Sequence, residues 1–375
     1  MKTFHVKTKL LHGTGTLSYL STLKGQRACI VTDAMMMKIG VAERVGAELE
    51  RAGVSFKYFD SVEANPSLET IQTGLHHIID FKPDLLIAIG GGSVIDAAKA
   101  IMYFCLKTKE ALLDKANVVK PLFIAIPTTS GTGSEVTSFS VITDHSSQRK
   151  IALTDDLMLP DLAILDATLT LTVPIHVSMD TGFDVITHAV EAYVSVNHTV
   201  YSDLFAQKAL NLAFDNVLKV FYDGSQLEPR QAMHDASCMA GIAFNNSGLG
   251  INHSLAHVIG GRFGVSHGKA NAILLPHIMH FNQRACLERY AQIARSIGLS
   301  FGCDAHCSNA LIEHIKHLLR IANIPLSFRE LGIDQKVYTD AVEEMASKAM
   351  EDVCTATNPV SVTKEQLKEM LHGVF

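Results

Sequence analysis

The chain has 375 residues, 47% hydrophobic against 19% charged, the balance of a well-buried globular protein rather than a disordered one. A net charge of −6 with no long basic run argues against nucleic acid or an anionic membrane as partner and leaves small solutes. Seven cysteines at scattered positions make neither a disulfide framework nor, with Cys303 and Cys307 lacking a second pair, a zinc ribbon; with no signal-peptide core and no apolar run of the ~20 residues that span a bilayer, a soluble cytoplasmic protein is expected.

Met1 to Leu11 alternates polar and apolar residues as an edge strand does. Gly13-Thr14-Gly15 reads as a turn, because nothing around it supplies a dinucleotide fingerprint. Arg27 to Thr32 is a short β-type run, and Asp33 closes it where an acid can accept hydrogen bonds from an adenosine ribose or can cap the helix that follows. Met35 to Gly53 has helical character with a glycine stop. Asp84 to Ile89 and Leu122 to Ile126 are near-continuous apolar runs, as parallel strands covered on both faces should be.

Each of those runs ends in small and polar residues. Gly90-Gly91-Gly92-Ser93 precedes a helix starting near Val94, with Asp96 and Lys99 in its first turns. Unpaired amides and the positive end of the helix dipole make such a turn a phosphate site, whereas a plain tight turn needs only one glycine. Pro127 to Glu135, rich in Ser, Thr and Gly, follows the next strand; its hydroxyls suit sugar, phosphate or base edge, although such clusters are more often ordinary loops. Strand and helix alternate throughout this half, so a doubly wound, Rossmann-like α/β domain with a parallel sheet is expected over residues 1–178.

Beyond Pro174 to Met179 the β-type runs thin out, and Tyr201 to Tyr222, Arg230 to Phe244 and Ala310 to Ala322 have helical spacing, which predicts an all-helical domain over residues 179–375. At its start, Asp184 and His188 stand four residues apart in the stretch Thr181 to Tyr193; His253 and His257 repeat the spacing, and His267 lies beyond the Gly260-Gly261 break. Residues i and i+4 share a helix face, and imidazole with carboxylate suits Fe²⁺, Zn²⁺, Mn²⁺ or Co²⁺. The competing reading is the wet stripe of an amphipathic helix, since close pairs arise by chance among 18 histidines, and spacing does not say which of them ligate.

Taken together and in this order, Gly90-Gly91-Gly92-Ser93 with Asp96-Ala97-Ala98-Lys99, the Pro127 to Glu135 loop, Thr181 to Tyr193, His253 to His257, and His267-Gly268 with Ala270-Asn271-Ala272 resemble the iron-containing, group III alcohol dehydrogenases over essentially the whole chain. The resemblance implies a dehydroquinate synthase-like architecture and reversible NAD(H)-linked interconversion of alcohols and aldehydes. It implies one divalent metal, Fe²⁺ with Zn²⁺ as the alternative, held by Asp184, His188, His253 and His267, with His257 near the metal without ligating it; a histidine poised there is expected to relay the proton to solvent. Asp33, Asn65, Gly90, Gly91, Gly92, Ser93, Thr128, Thr129 and Lys150 match positions that contact the dinucleotide in relatives, and Asp96 is grouped with them. Within the family the chain looks most like the propanol dehydrogenases of bacterial propanediol-utilising microcompartments. A short primary alcohol or aldehyde, with Phe139 and Phe244 lining its pocket, a homodimer or higher homo-oligomer and a microcompartment association are therefore expected; a polyol or 1,3-propanediol dehydrogenase, a lyase of the same fold, or an inactive scaffold subunit are the alternatives.

Overall fold

The computed structural model describes residues 2–112, 119–144, 149–300 and 302–375. Contacts divide the chain into two compact units, Val6–Val173 and, together with the N-terminal residues up to His5, Pro174–Phe375.

In the first unit the apolar runs become strands of one sheet: β1 (Lys9–His12), β2 (Arg27–Val31), β3 (Ser55–Phe59), β4 (Leu85–Gly90), β5 (Leu122–Pro127) and β8 (Leu162–Leu165), ordered β1-β8-β5-β4-β2-β3 and parallel throughout. Side chains alternate across a strand, so each strand feeds two cores. Cys29, Val31, Leu86, Ala88, Phe123 and Ala125 face one side, where they meet Ile71 and Ile78 of α3 (Leu68–Phe81) and Val94, Ile95 and Ile101 of α4 (Gly92–Leu112). Ala28, Ile30, Ile87, Ile89 and Ile124 face the other, against Val41, Val45 and Leu49 of α2 (Val41–Arg51). Helices on both faces explain why β4 and β5 read as unbroken apolar runs.

The chain runs outward from β2 to β3 and then crosses back to β4 on the other side of β2. The carboxyl ends of β2 and β4 are therefore neighbours at a reversal of strand order, the place where open α/β sheets bind ligands. Thr32 Oγ1 ties them by donating to the Ile89 carbonyl at 2.9 Å, which leaves Asp33 and the glycine loop side by side in the topology.

Three local features differ from the sequence expectation. The helix over Met35 to Gly53 is two, α1 (Ala34–Lys38) and α2, because Gly40 takes a left-handed φ of 75° that continuous helix does not allow. A separate antiparallel ribbon, β6 (Phe139–Asp144) with β7 (Arg149–Thr154), interrupts the βα alternation. Among the described residues of the N-terminal stretch only Lys9–His12 is a strand, and it lies at the sheet edge. The residues up to His5 belong to the helical unit, where Phe4 stacks 5.5 Å from Tyr201 and His5 N–H donates to Asn246 Oδ1 at 2.9 Å.

The second unit is helical: α5 (Ile175–Val194), α6 (Val200–Tyr222), α7 (Leu227–Ser247), α8 (Ile251–Phe263), α9 (His267–Ser296), α10 (Asp304–Ile321), α11 (Gln335–Glu351) and α12 (Lys364–Gly373). The boundary drawn at residues 178/179 falls inside α5, which begins just after Pro174. α5 packs against α6, α7 and α9, and from Ser178 to Val194 only Thr181 escapes full burial. Among the described residues no helix is long and apolar enough to cross a membrane.

Lys99 is fully buried, and its ammonium donates to Ser134 Oγ (2.8 Å), Thr137 Oγ1 (3.0 Å) and the Phe139 carbonyl (2.8 Å). Burial lowers its pKa to about 8, against the opposing pull of Asp96 and Glu135. This lysine clamps α4 to the loop that precedes β6. Lys99→Ala removes the donor of three buried bonds and leaves a cavity, so it should destabilise the protein by about 3 kcal/mol or more. Urea unfolding of the two proteins measures this, and an unchanged midpoint would assign the clamp no weight.

Candidate metal centre and nucleotide loop

Asp184 and His188 project from the same face of α5, one turn apart, into the helical unit's interior. His253 comes from the first turn of α8, and His267 is the first residue of α9. One ligand atom from each of these four side chains lies within 4.8 Å of the others. Asp184 carboxylate oxygens stand 4.0 Å from His188 Nδ1, 3.9 Å from His253 Nε2 and 3.7 Å from His267 Nε2. Phe244 stacks on His188 at 4.6 Å, and His188 on His253 at 4.5 Å, so the imidazoles are held as a layer. Gly268 is required at the start of α9: a Cβ there would lie 2.2 Å from the Asp180 carbonyl oxygen, and this close approach brings His267 against α5.

His253 Nδ1 meets Glu191 Oε2 at 2.5 Å, while Glu191 Oε1 accepts the Asn252 amide at 2.8 Å. Burial pushes both Asp184 and Glu191 up to about 8, and it drives His253 well below the usual imidazole range, with the His257 charge adding to the effect. His257 lies outside the four-residue group. Its ring stacks on His267 at 5.3 Å and 16°, and its Nδ1 is 2.8 Å from Asp352 Oδ2. The His257 hydrogen bond and charge, with the Cys354 amide, outweigh burial and hold Asp352 at about 2.

In the α/β unit the phosphate-type loop is formed as expected: Gly90 ends β4 and α4 begins at Gly92. The loop after β5 folds over it, with Thr128 N–H donating to the Gly90 carbonyl at 3.0 Å and Thr129 beside Gly91. A Cβ on Gly92 would meet Thr132 Cγ2 at 2.6 Å. Asn65 adopts a left-handed φ of 57°, and its N–H points to Ser93 Oγ at 3.4 Å. Asp33 caps α1, its Oδ1 accepting from Met36 N–H at 2.8 Å. Asp96 is a structural tie, with one oxygen taking Ser134 Oγ–H at 2.5 Å and the other Val141 N–H at 3.0 Å. Lys150 is exposed on β7.

Two family models cover nearly the whole chain: "iron-containing alcohol dehydrogenase" matches residues 7–167, and "Fe-containing alcohol dehydrogenase family, C-terminal" matches residues 178–375. The chain belongs to the iron-containing alcohol dehydrogenases. It is 39% identical to the NADPH-dependent butanol dehydrogenase of Clostridium saccharobutylicum over all of this chain and 98% of that one. It is 37% identical to the 1-propanol dehydrogenase PduQ of Citrobacter freundii over 99% of this chain and all of the relative. The iron-containing alcohol dehydrogenase of Thermococcus thioreducens superposes with a TM-score of 0.90 at 34% identity, covering 99% of both chains.

The donor set of this alcohol dehydrogenase fits a divalent metal. Asn271 Nδ2 donates to Asp184 Oδ1 at 2.8 Å and lies 3.1 Å from the Nε2 atoms of both His253 and His267. An amide nitrogen has two hydrogens for these three neighbours, and the mutual spacing of the Asp184, His188, His253 and His267 ligand atoms, within 4.8 Å of one another, fits a shared cation. The ion-pair neighbours of Asp184 are the three imidazoles, neutral in a metal-ligating state, so a bound cation also supplies the counter-charge for a buried carboxylate. Glu191, Asn271 and Asp352 had no individual role in the sequence reading. Glu191 follows His188 by three residues and Asp184 by seven, and Asn271 follows His267 by four, so helical spacing carried both signals.

With a cation in the site to keep Glu191 ionised, Glu191 Oε2 would accept from His253 Nδ1 and leave Nε2 free to ligate. Glu191→Gln turns an amide toward Nδ1 and disfavours that tautomer, and metal affinity should fall about 10- to 100-fold. Metal competition with a chelator measures the change; equal affinities would reduce Glu191 to packing.

Proposed function

We propose that the chain interconverts short primary alcohols and aldehydes, 1-propanol and propanal foremost, with NAD(H) as hydride carrier. The observation that carries this reading is the convergence of Asp184, His188, His253 and His267 in one buried cluster of an iron-containing alcohol dehydrogenase. These four residues would hold Fe²⁺, with Zn²⁺ accepted by the same donors. The bound metal supplies Lewis acidity to an alcohol or aldehyde oxygen. The chain's own residues do the rest. His267 is the most exposed of the four and gives the centre its open side, while Phe244, flat against His188, keeps water from the other. His257, with Nδ1 engaged by Asp352, carries the proton on Nε2 between substrate and solvent. Gly90 to Ser93, Asn65, Thr128 and Thr129 present backbone and hydroxyl groups to the dinucleotide, with its phosphates at the start of α4.

The 1-propanol dehydrogenase relative supports a short apolar substrate. Protein purified without oxygen, loaded with Fe²⁺ and offered propanal, ethanal, butanal, 1,3-propanediol and glycerol should turn over propanal with the highest kcat/KM of the panel. Preference for glycerol would reject the assignment. His253→Ala should lose metal and activity together, whereas His257→Gln should retain the metal and lose rate.

Choice between NAD(H) and NADP(H) rests on Asp33, because the butanol dehydrogenase relative is named for NADPH. A carboxylate at this strand end accepts from ribose hydroxyls and repels a 2′-phosphate by ~1 kcal/mol or more, a preference on the order of tenfold or greater. Since Asp33 also caps α1, glycine is the informative replacement, costing only a few tenths of a kcal/mol at an N-cap. Asp33→Gly should narrow the NAD/NADP ratio of kcat/KM with little change in melting temperature. A wild-type enzyme that favours NADPH would overturn the proposal outright.

A further inference from the structure

We propose that Asp352 is a positioning residue for the reaction, its carboxylate holding the His257 ring in the tautomer that leaves Nε2 as the basic nitrogen. This rests on the proposed relay role of His257 and names the group that makes it work. Asp352 Oδ2 is 2.8 Å from His257 Nδ1, so the ring's proton sits on Nδ1, between the two. The other oxygen is anchored separately, accepting Cys354 N–H at 2.9 Å and Ser254 Oγ–H at 3.3 Å. Ser254 precedes His257 by three residues on α8, so one carboxylate grips the helix at two points a turn apart. Asp352 itself ends α11 and caps the short helix Val353–Thr357, which leaves it little freedom to turn away.

A second occupant was conceivable here, because His257, Asp352 and Cys354 each place a ligand atom within 4.8 Å of the others. A thiol binds metal as thiolate, and burial, reinforced by the charges of Asp352 and Glu191, pushes Cys354 well above its usual range. The three form a hydrogen-bonded set, and Asp352 remains a carboxylate for His257. The arrangement repeats that of Glu191 with His253: each carboxylate takes the Nδ1 side of an imidazole, once for a metal ligand and once for a proton carrier.

Asp352→Asn tests this with the shape preserved. Its carbonyl oxygen can still accept from Cys354 N–H, but its amide now faces His257 Nδ1 and favours the proton on Nε2. In the metal-loaded enzyme kcat should fall about 10- to 100-fold, while KM for the alcohol, metal content and melting temperature stay near wild type. Asp352→Glu, which restores a carboxylate, should recover part of the rate. In a His257→Gln background Asp352→Asn should cost nothing further, since its only route is through that ring. Nitrogen-15 spectra of Zn²⁺-loaded protein should report protonated Nδ1 in wild type and its loss in Asp352→Asn. Normal turnover in Asp352→Asn with impaired His257→Gln would overturn the positioning role and leave the relay intact. Normal turnover in both would remove the relay and this proposal with it, and loss of metal or of melting temperature in both carboxylate variants would make Asp352 structural.

Discussion

A helix buried on every side that still carries Asp184, Thr187, His188 and Glu191 is the constraint from which the helical unit follows. A buried polar group left unpaired costs several kcal/mol, and a buried charge more, so each of these side chains has to be answered by another element. Thr187 answers itself by donating to the Phe183 carbonyl at 2.9 Å. Glu191 needs outside donors and finds them in the Asn252 amide and the His253 ring, which fixes where α8 must start. Gly250 permits that start, because a Cβ there would lie 2.6 Å from Glu191 Oε1. Asp184 needs Asn271 and the imidazoles, which fixes where α9 must start. What the protein leaves unbalanced is one carboxylate facing three imidazoles, a set that could hold a metal ion. Stability of the core and assembly of the site are here the same interaction viewed twice.

The α/β unit obeys a different constraint. A parallel sheet with both faces covered cannot have loops within it, so its chemistry gathers at the strand ends, and the reversal of order between β2 and β4 selects which ends. The glycines of the β4 turn serve close packing: Thr132 lies where a Gly92 side chain would be. Asp96 and Lys99, in the turns just after this loop, act on the scaffold, tying α4 to the following loop and to β6 through buried polar bonds. Asp96 keeps the loop rigid, and rigidity is what a phosphate cradle requires.

Periodicity in the amino-acid sequence determined the alternating strands and helices of the first half, the helical second half, and the i,i+4 pairing that puts Asp184 beside His188, because these depend on residues close together in the chain. It missed the break at Gly40 and the β6–β7 ribbon, where one backbone dihedral or a pairing between neighbouring segments overrides local propensity. It left Asp33 open between cap and ribose acceptor, and the structure establishes the cap without removing the other oxygen from use. Which histidines stand together was decided only by tertiary packing: His253 and His267 reach Asp184 from two other helices, and His257, with the same spacing from His253 that His188 has from Asp184, turns instead to Asp352, 95 residues away. Spacing along a helix fixes a shared face, but what that face meets is set by long-range burial, and no local pattern encodes it.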